Sequence, residues 1–212
     1  MGHRAPAAAA LTVPVTVYGM AVSGNCWKAR QILELTGHDI RWVETDGNTG
    51  ATRTETFLAI NPNGKVPTVV LPDGTVLVES NAILAHFAEG TAWMPPPGLA
   101  RTRVLEWLFF EQYSHEPYIA VARNIRAYQK SAAANAERLA QCDARGAAAL
   151  DVMERRLAGH SWLTDSGPTA ADLALFAYTH VADEGGFELA RWPGVAAWVA
   201  RVAALPGIRG LR

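Results

Sequence analysis

The chain has little cysteine, little net charge and no hydrophobic run long enough to cross a membrane. Its two cysteines, Cys26 and Cys142, are too few for a disulfide framework or a zinc site, and they fit a reducing compartment. A formal net charge of −1 over 212 residues gives no reason to expect nucleic acid or an acidic membrane surface as a partner. No apolar run approaches the roughly 18 residues of a membrane span. These absences exclude a disulfide-stapled fold, a transmembrane helix and a basic nucleic-acid binder.

Several catalytic motifs are also missing. The six histidines show no HExxH or other tight ligand spacing, so we expect no metal. There is no G-x-S-x-G elbow, no P-loop and no dinucleotide fingerprint. Whatever chemistry the chain performs must therefore come from other residues.

Residues 1–11 are predicted to form a disordered tail. A basic pair followed by alanines faintly resembles a signal peptide. Cleavage there, however, would remove the valine-rich segment that follows, and this segment has the pattern of a strand. We therefore prefer the tail.

The most informative segment runs from Val13 to Leu35. Valines alternate with other residues at its start, which predicts a strand, and apolar residues from Trp27 onward recur at helical spacing. Asn25 is a good candidate for the N-cap of this helix, with Ser23 just upstream. Because a helix start carries partial positive charge and unpaired N–H groups, it favours a phosphate, a carboxylate or a thiolate.

The next sixty residues continue the alternation of predicted strands and helices. A turn at Pro72-Asp73-Gly74 joins two short apolar runs and predicts a hairpin. The order β-α-β-α-β-β-α over about 80 residues is typical of a thioredoxin-like domain, here residues 12–90. The predicted later elements are a strand near 40–43, a helix at 55–60, strands at 66–71 and 75–78, and a helix after Ser80.

The second half of the chain predicts helices only. Residues 91–99 contain three consecutive prolines and form a predicted linker, so that residues 100–212 make an all-helical domain. The face that carries Val104, Leu105, Leu108 and Phe109 is predicted to be buried, and Pro117 predicts a break near 115–116. Thr169 and Asp172 have the spacing of a capping box, with Asp in place of the usual Glu.

Four segments in this order resemble the cytosolic glutathione transferases over residues 13–205. They are SGN at 23–25, NGKVPT at 63–68, ESNAIL at 79–84 and TAAD at 169–172. The SGN turn is similar to that of bacterial Nu-type members, which place Ser or Thr with Asn around the glutathione sulfur. The resemblance implies a thioredoxin-like N-terminal domain, an all-α C-terminal domain and glutathione as co-substrate.

The resemblance also implies a set of glutathione-binding residues. Pro67 corresponds to the family's cis-proline, which turns the backbone of Val66 toward the cysteinyl part of glutathione. Glu79 and Ser80 match the pair that holds the γ-glutamyl end, where a carboxylate meets the ammonium, and a hydroxyl and a helix start meet the carboxylate. Lys65 lies where members place Lys or Gln near one of the tripeptide's carboxylates.

The same resemblance makes Ser23 and Asn25 the expected catalytic residues. A free thiol has a pKa of about 8.5, and one hydroxyl donor plus a helix start could lower it by about one to two units. Two simpler roles remain open, Ser23 as a capping hydroxyl and Asn25 as an N-cap only. Some relatives use a cysteine instead, so Cys26 is either catalytic or, as we prefer, a small packing residue without a CxxC partner.

In this family the helix near the predicted break lines the acceptor pocket. Tyr113, His115, Tyr118 and Arg123 are therefore candidate contacts to the second substrate, and the alternative is an amphipathic helix with an ordinary aromatic face.

The resemblance implies a cytoplasmic, homodimeric detoxification enzyme that attacks a small hydrophobic electrophile. The Nu-like turn favours disulfide reduction as the alternative reaction. A third possibility, of another class, is a module on the same fold that binds a ligand or partner without turnover.

Overall fold

A computed structural model describes residues 13–211. The chain divides into two compact units, one comprising the described residues up to Pro95 together with Leu211, the other comprising Pro96–Gly210. This division falls inside the segment 91–99. The predicted tail, residues 1–11, lies outside the described residues.

The first unit is built on a four-stranded sheet in the order β2-β1-β3-β4. The central strand β1 pairs in parallel with β2 and antiparallel with β3, and β3 forms an antiparallel hairpin with β4. Val15 and Val17 of β1 are fully buried, as the alternation of valines predicts. The strands are β1 (Val15–Gly19), β2 (Ile40–Glu44), β3 (Thr68–Val70) and β4 (Val76–Val78).

Three helices complete the first unit: α1 (Gly24–Leu35), α2 (Glu55–Ile60) and α3 (Ser80–Ala88). Ile32 and Leu33 of α1 and Ile83 and Leu84 of α3 are fully buried, and the two helices pack against each other. The observed order, β1-α1-β2-α2-β3-β4-α3, confirms the predicted thioredoxin-like arrangement. Strand β3 begins two residues later than predicted, after the cis Val66–Pro67 bond.

The second unit contains helices and no strand among its described residues. The helix α7 lies at its centre, and every one of its residues is buried. The helices are α4 (Leu99–Phe110), α5 (Glu116–Arg123), α6 (Ala136–Leu157), α7 (Ala170–Thr179) and α8 (Pro193–Ala203). The predicted all-α second half is confirmed.

The break near Pro117 is present and takes the form of a π-helical segment, Glu111–His115, between α4 and α5. The backbone N–H of Glu116 donates to the carbonyl of Glu111, five residues back. The buried face of α4 consists of Val104 and Leu108 and continues to Glu111 and His115, whereas Phe109 is 74% exposed. The prediction that Phe109 belongs to the buried face is therefore wrong, because the face follows the 104–108–111 spacing.

The start of α7 has the predicted capping box of Thr169 and Asp172. One Asp172 oxygen accepts from the Thr169 backbone N–H at 2.9 Å and from its hydroxyl at 3.3 Å. The other accepts from the Leu163 N–H at 3.2 Å and from the Trp198 indole at 2.9 Å. The carboxylate thus joins α7, α8 and the loop before α7 in the interior of this unit.

Candidate glutathione site

Ser23, rather than Asn25, is the N-cap of α1. Its backbone is extended, at φ −86° and ψ 124°, and its hydroxyl oxygen accepts from the Cys26 N–H at 3.3 Å. The Ser23 N–H donates to the Met20 carbonyl at 3.0 Å, which closes the turn between β1 and α1. This turn fixes where the helix begins, so Asn25 falls inside the first turn and the prediction of Asn25 as N-cap is wrong.

The Ser23 hydroxyl is well suited to stabilise an anion. A hydroxyl has one proton to donate and two lone pairs, and the bond from the Cys26 N–H uses a lone pair rather than the proton. The side chain is half-buried at the start of a twelve-residue helix. A group that accepts the Ser23 proton would also feel the partial positive charge of that helix start.

Asn25 connects the starts of two helices. Its Oδ1 accepts from the Ser80 hydroxyl at 3.2 Å, and Ser80 is the first residue of α3. Ser80 is nearly buried, and its hydroxyl is committed to this bond. The predicted sulfur end and the predicted γ-glutamyl end of the site are thereby joined by a direct hydrogen bond.

Glu79 precedes α3 in an unusual backbone conformation. Its φ is 65° and its ψ is 113°, a region that residues other than glycine rarely adopt. The Glu79 carbonyl accepts from the Ile83 N–H at 2.9 Å, while its side chain is exposed. Such strain at a non-glycine residue points to a role for the side chain at that position.

The segment 65–67 presents backbone groups. The Lys65 carbonyl accepts from the Asn61 amide and from the Thr68 hydroxyl, both at 2.9 Å, while the Lys65 side chain is exposed. Within the described residues no hydrogen bond uses the N–H or C=O of Val66, which precedes the cis bond to Pro67. An extended peptide could pair with these two groups as an added strand.

Cys26 is packed in the interior rather than presented to a ligand. It has no exposed surface, and its Sγ accepts from the Met20 N–H at 3.3 Å. Burial raises the pKa of the thiol to about 11, against smaller opposing effects of hydrogen bonds from Met20 and Ser23. A thiol with this pKa is a poor nucleophile at neutral pH, which supports the packing alternative.

Sequence reasoning missed the residues that hold the loops. Asn61, after α2, also donates to the Thr68 hydroxyl at 2.9 Å and so fixes the segment before the cis bond. Glu44, at the end of β2, accepts from the Ala21 N–H at 3.1 Å and from the Trp42 indole at 2.8 Å. The sequence Asn-Pro-Asn-Gly at 61–64 could have pointed to a structural role for Asn61, because asparagine often forms hydrogen bonds in turns. Nothing in the sequence near Glu44 indicates its contact with Ala21.

The structure does not bring the four acceptor candidates together. Tyr113 is 83% exposed and lies in a groove of about 640 Å³, which is lined by Glu106, Phe109, Phe110, Gln112, Tyr113 and Ser114. Tyr118 is half-buried, with the Arg138 guanidinium 5.8 Å from its ring centre.

His115 and Arg123 lie in the interior of the second unit. His115 has no exposed surface, and its Nε2 lies 2.9 Å from the Thr179 hydroxyl. Arg123 donates to Glu184 at 2.7 Å and to the Tyr128 hydroxyl at 2.6 Å. In this structure neither side chain is presented to a ligand, which corrects the expectation for these two residues. The reason is that the π-helical segment turns His115 toward α7.

Among residues 13–211, no group of three or more His, Cys, Asp or Glu side chains could hold a metal ion. Nor is any described helix both long and apolar enough to cross a membrane.

Both parts of the chain match known protein families. Residues 22–89 match the family model for the glutathione S-transferase N-terminal domain, and residues 136–201 match that for the C-terminal domain. Glutathione S-transferase 3 of Zea mays is 32% identical, over 92% of this chain and 92% of its own length. The chain belongs to the glutathione S-transferase family.

A solved glutathione S-transferase from Xanthobacter autotrophicus Py2 is 67% identical, with a TM-score of 0.91 over 93% of this chain and 96% of that one. Disulfide-bond oxidoreductase YfcG of Escherichia coli K12 is 26% identical, over 88% of this chain and 89% of its own length. The predicted family, fold, enzyme class and glutathione co-substrate are confirmed.

Proposed function

We propose that this enzyme binds glutathione in its thioredoxin-like domain, residues 12–90, and ionises the glutathione thiol at the Ser23 hydroxyl. The observation that carries the proposal is the capping geometry of Ser23, which places a hydroxyl donor at the start of α1. A thiolate there would accept that proton and lie against a positive helix start. Asn25 supports the arrangement by joining α1 to Ser80.

The rest of the tripeptide is assigned to groups along the same face of the unit. The Val66 backbone pairs with the cysteinyl residue, and Lys65 meets a carboxylate through its exposed ammonium. The strained, exposed Glu79 takes the α-ammonium of the γ-glutamyl group, and the first turn of α3 takes its carboxylate. This assignment gives each charged group of glutathione a partner of opposite sign.

In conjugation, the thiolate attacks an electrophilic carbon, a C–S bond forms, and the leaving group departs with its electron pair. The thiol proton passes to solvent before the attack. We propose a small hydrophobic acceptor. The aromatic lining of the groove that contains Tyr113 supports this, because apolar side chains favour apolar ligands.

Disulfide reduction is the second candidate reaction. It is supported by the similarity to the oxidoreductase of E. coli and by the Ser-Gly-Asn turn. Here the ionised glutathione sulfur attacks a glutathione mixed disulfide, forms oxidised glutathione and releases the other thiol. The buried Cys26 needs to take no part in this reaction. Parallel assays with a chlorinated aromatic acceptor and a mixed disulfide decide between the two reactions.

Two measurements test the site itself. Calorimetric titration with glutathione should give one site per chain, and ultraviolet titration of the thiolate should place the bound thiol's pKa below the free value of about 8.5. Absence of binding heat, or a glutathione thiol whose pKa is the same bound as free, would contradict the proposal.

We further propose that the enzyme is a cytoplasmic homodimer. The two free, buried thiols of Cys26 and Cys142 support a reducing compartment. Light scattering of the purified protein and fractionation of its host cells measure the two properties directly.

A further inference from the structure

Lys28 is a lysine with no exposed surface. Burying an ammonium is costly unless it finds partners in the interior, which is why lysine is almost never fully buried. The Lys28 Nζ donates to the Asn81 Oδ1 at 2.9 Å. Ile32 and Leu33 of the same helix and Ile83 of α3 are also fully buried.

The place of Lys28 relates it to the glutathione site. It follows Asn25 by three residues and therefore lies on the same face of α1, one turn further along. Asn81 follows Ser80 in the first turn of α3. Two hydrogen bonds thus cross from α1 to the start of α3, one from Ser80 to Asn25 at 3.2 Å and one from Lys28 to Asn81.

An apolar residue at position 28 would pack between α1 and α3 without the desolvation cost of a charge. Replacing buried charged groups by apolar ones of similar volume is often neutral or stabilising. Stability therefore does not explain the ammonium. Its charge lies behind the helix start to which the proposed function assigns the γ-glutamyl carboxylate, and there it would favour an anion.

We propose that Lys28 is a positioning residue for the γ-glutamyl end of glutathione. Through Asn81 it holds the first turn of α3 against α1, and its buried positive charge strengthens binding of the ligand carboxylate at that turn. The inference rests on the proposed glutathione site and adds to it a residue that does not touch the ligand.

The test compares affinity for glutathione with affinity for S-methylglutathione, whose sulfur cannot ionise. Lys28→Met should weaken both ligands about tenfold, the effect of one favourable charge at a partly buried helix start. Turnover at saturating glutathione should stay unchanged, because the lost interaction is equal in ground and transition states. Lys28→Arg, which keeps the charge, should restore most of the affinity.

Two further variants keep the test decisive. Lys28→Met combined with Asn81→Leu removes both polar partners, so it guards against misfolding of the single variant, and it should bind as weakly. Arg30→Met is the matched control. It removes one positive charge from the same helix, but its side chain is 47% exposed and pairs with Glu34, so affinity should not change.

Unchanged affinity in a folded double variant would overturn the role of Lys28 and leave the proposed function intact. Weaker binding of glutathione alone, with S-methylglutathione unaffected, would place the action of Lys28 at the sulfur and also overturn it. If the wild-type protein bound neither ligand, the proposed function itself would fail.

Discussion

Helices α1 and α7 both begin with a hydroxyl residue, and the two starts differ in what they leave available. At α7 the Asp172 carboxylate accepts from two backbone N–H groups, a hydroxyl and an indole, and no part of it is exposed. At α1 the Ser23 hydroxyl accepts one backbone N–H and stays half-buried. The hydrogen-bonding groups at the start of α7 are thus buried and paired within the protein, whereas at the start of α1 the hydroxyl remains partly exposed.

The same contrast holds between the two units. In the second unit Arg123 and Glu184 are paired in the interior, and Glu154 accepts from the Gly194 and Val195 N–H groups at the start of α8. In the first unit Glu79 keeps its carboxylate exposed in a strained backbone. Polar residues of similar chemistry thus stabilise the second unit and, in the function we propose, bind a ligand in the first, which predicts that substitutions will separate stability from activity.

The largest effect is expected for Asp172→Ala. It leaves several buried donors without an acceptor, so we expect the free energy of unfolding to fall by about 4 kcal/mol. Urea denaturation followed by fluorescence measures this. Asp165→Ala is the control, because the Asp165 side chain is 85% exposed, and it should cost under about 1 kcal/mol. Equal losses of unfolding free energy in the two variants would contradict the structural role of Asp172 at the start of α7.

Unlike Asp172→Ala, Ser23→Ala should reduce activity strongly and stability only slightly. Removal of the donor to the thiolate should lower kcat/KM about 100-fold, while the lost cap costs only about 1 kcal/mol of stability. The pKa of the bound thiol should rise toward its free value. Ser23→Thr keeps both the donor and the cap and should retain most activity. If Ser23→Ala were fully active, the catalytic role would pass to Asn25 or to backbone donors.

Substitutions of Glu79 test whether its strained backbone lowers stability while its side chain contributes to glutathione binding. Glu79→Gln should raise the Kd for glutathione about tenfold, since an ion pair with the ammonium is lost. Glu79→Gly should weaken binding further yet raise the free energy of unfolding by about 1 kcal/mol, because glycine adopts a φ of 65° without strain. Calorimetry and thermal melting measure the two effects. A glycine variant no more stable than the wild type would argue against strain at this position.

Much of the first unit follows from local pattern. Alternating valines fix β1, a Pro-Asp-Gly turn fixes the hairpin, and helix α2 has the predicted bounds. The sequence predicts Asn25 rather than Ser23 as the cap of α1, because serine and asparagine are nearly equal in their preference for the N-cap. What decides between them is the closure of the turn from Ser23 to Met20, which no local propensity encodes.

The second unit shows a different limit. The break at Pro117 was predictable, but its conversion into a π-helical segment was not, and this segment decides that His115 faces Thr179. Long-range partners such as Glu44 and Ala21, or Asp172 and Trp198, depend on tertiary packing rather than on spacing. The secondary-structure elements were therefore easier to predict than the long-range side-chain contacts that hold them together.

Cys26 should show the smallest effect on catalysis. It lies three residues after Ser23, and a pKa of about 11 leaves roughly 0.1% of the thiol ionised at pH 8. In a Cys142→Ala background, labelling of Cys26 by a thiol reagent should be slow at pH 7 and rise about tenfold per pH unit, with no plateau below about pH 11. Cys26→Ala should keep turnover within about twofold, because the thiolate that reacts belongs to glutathione. Fast labelling at pH 7 together with loss of turnover in Cys26→Ala would show that the reactive sulfur belongs to Cys26 rather than to glutathione. It would then be wrong to distinguish a ligand-binding start of α1 from a purely structural buried face.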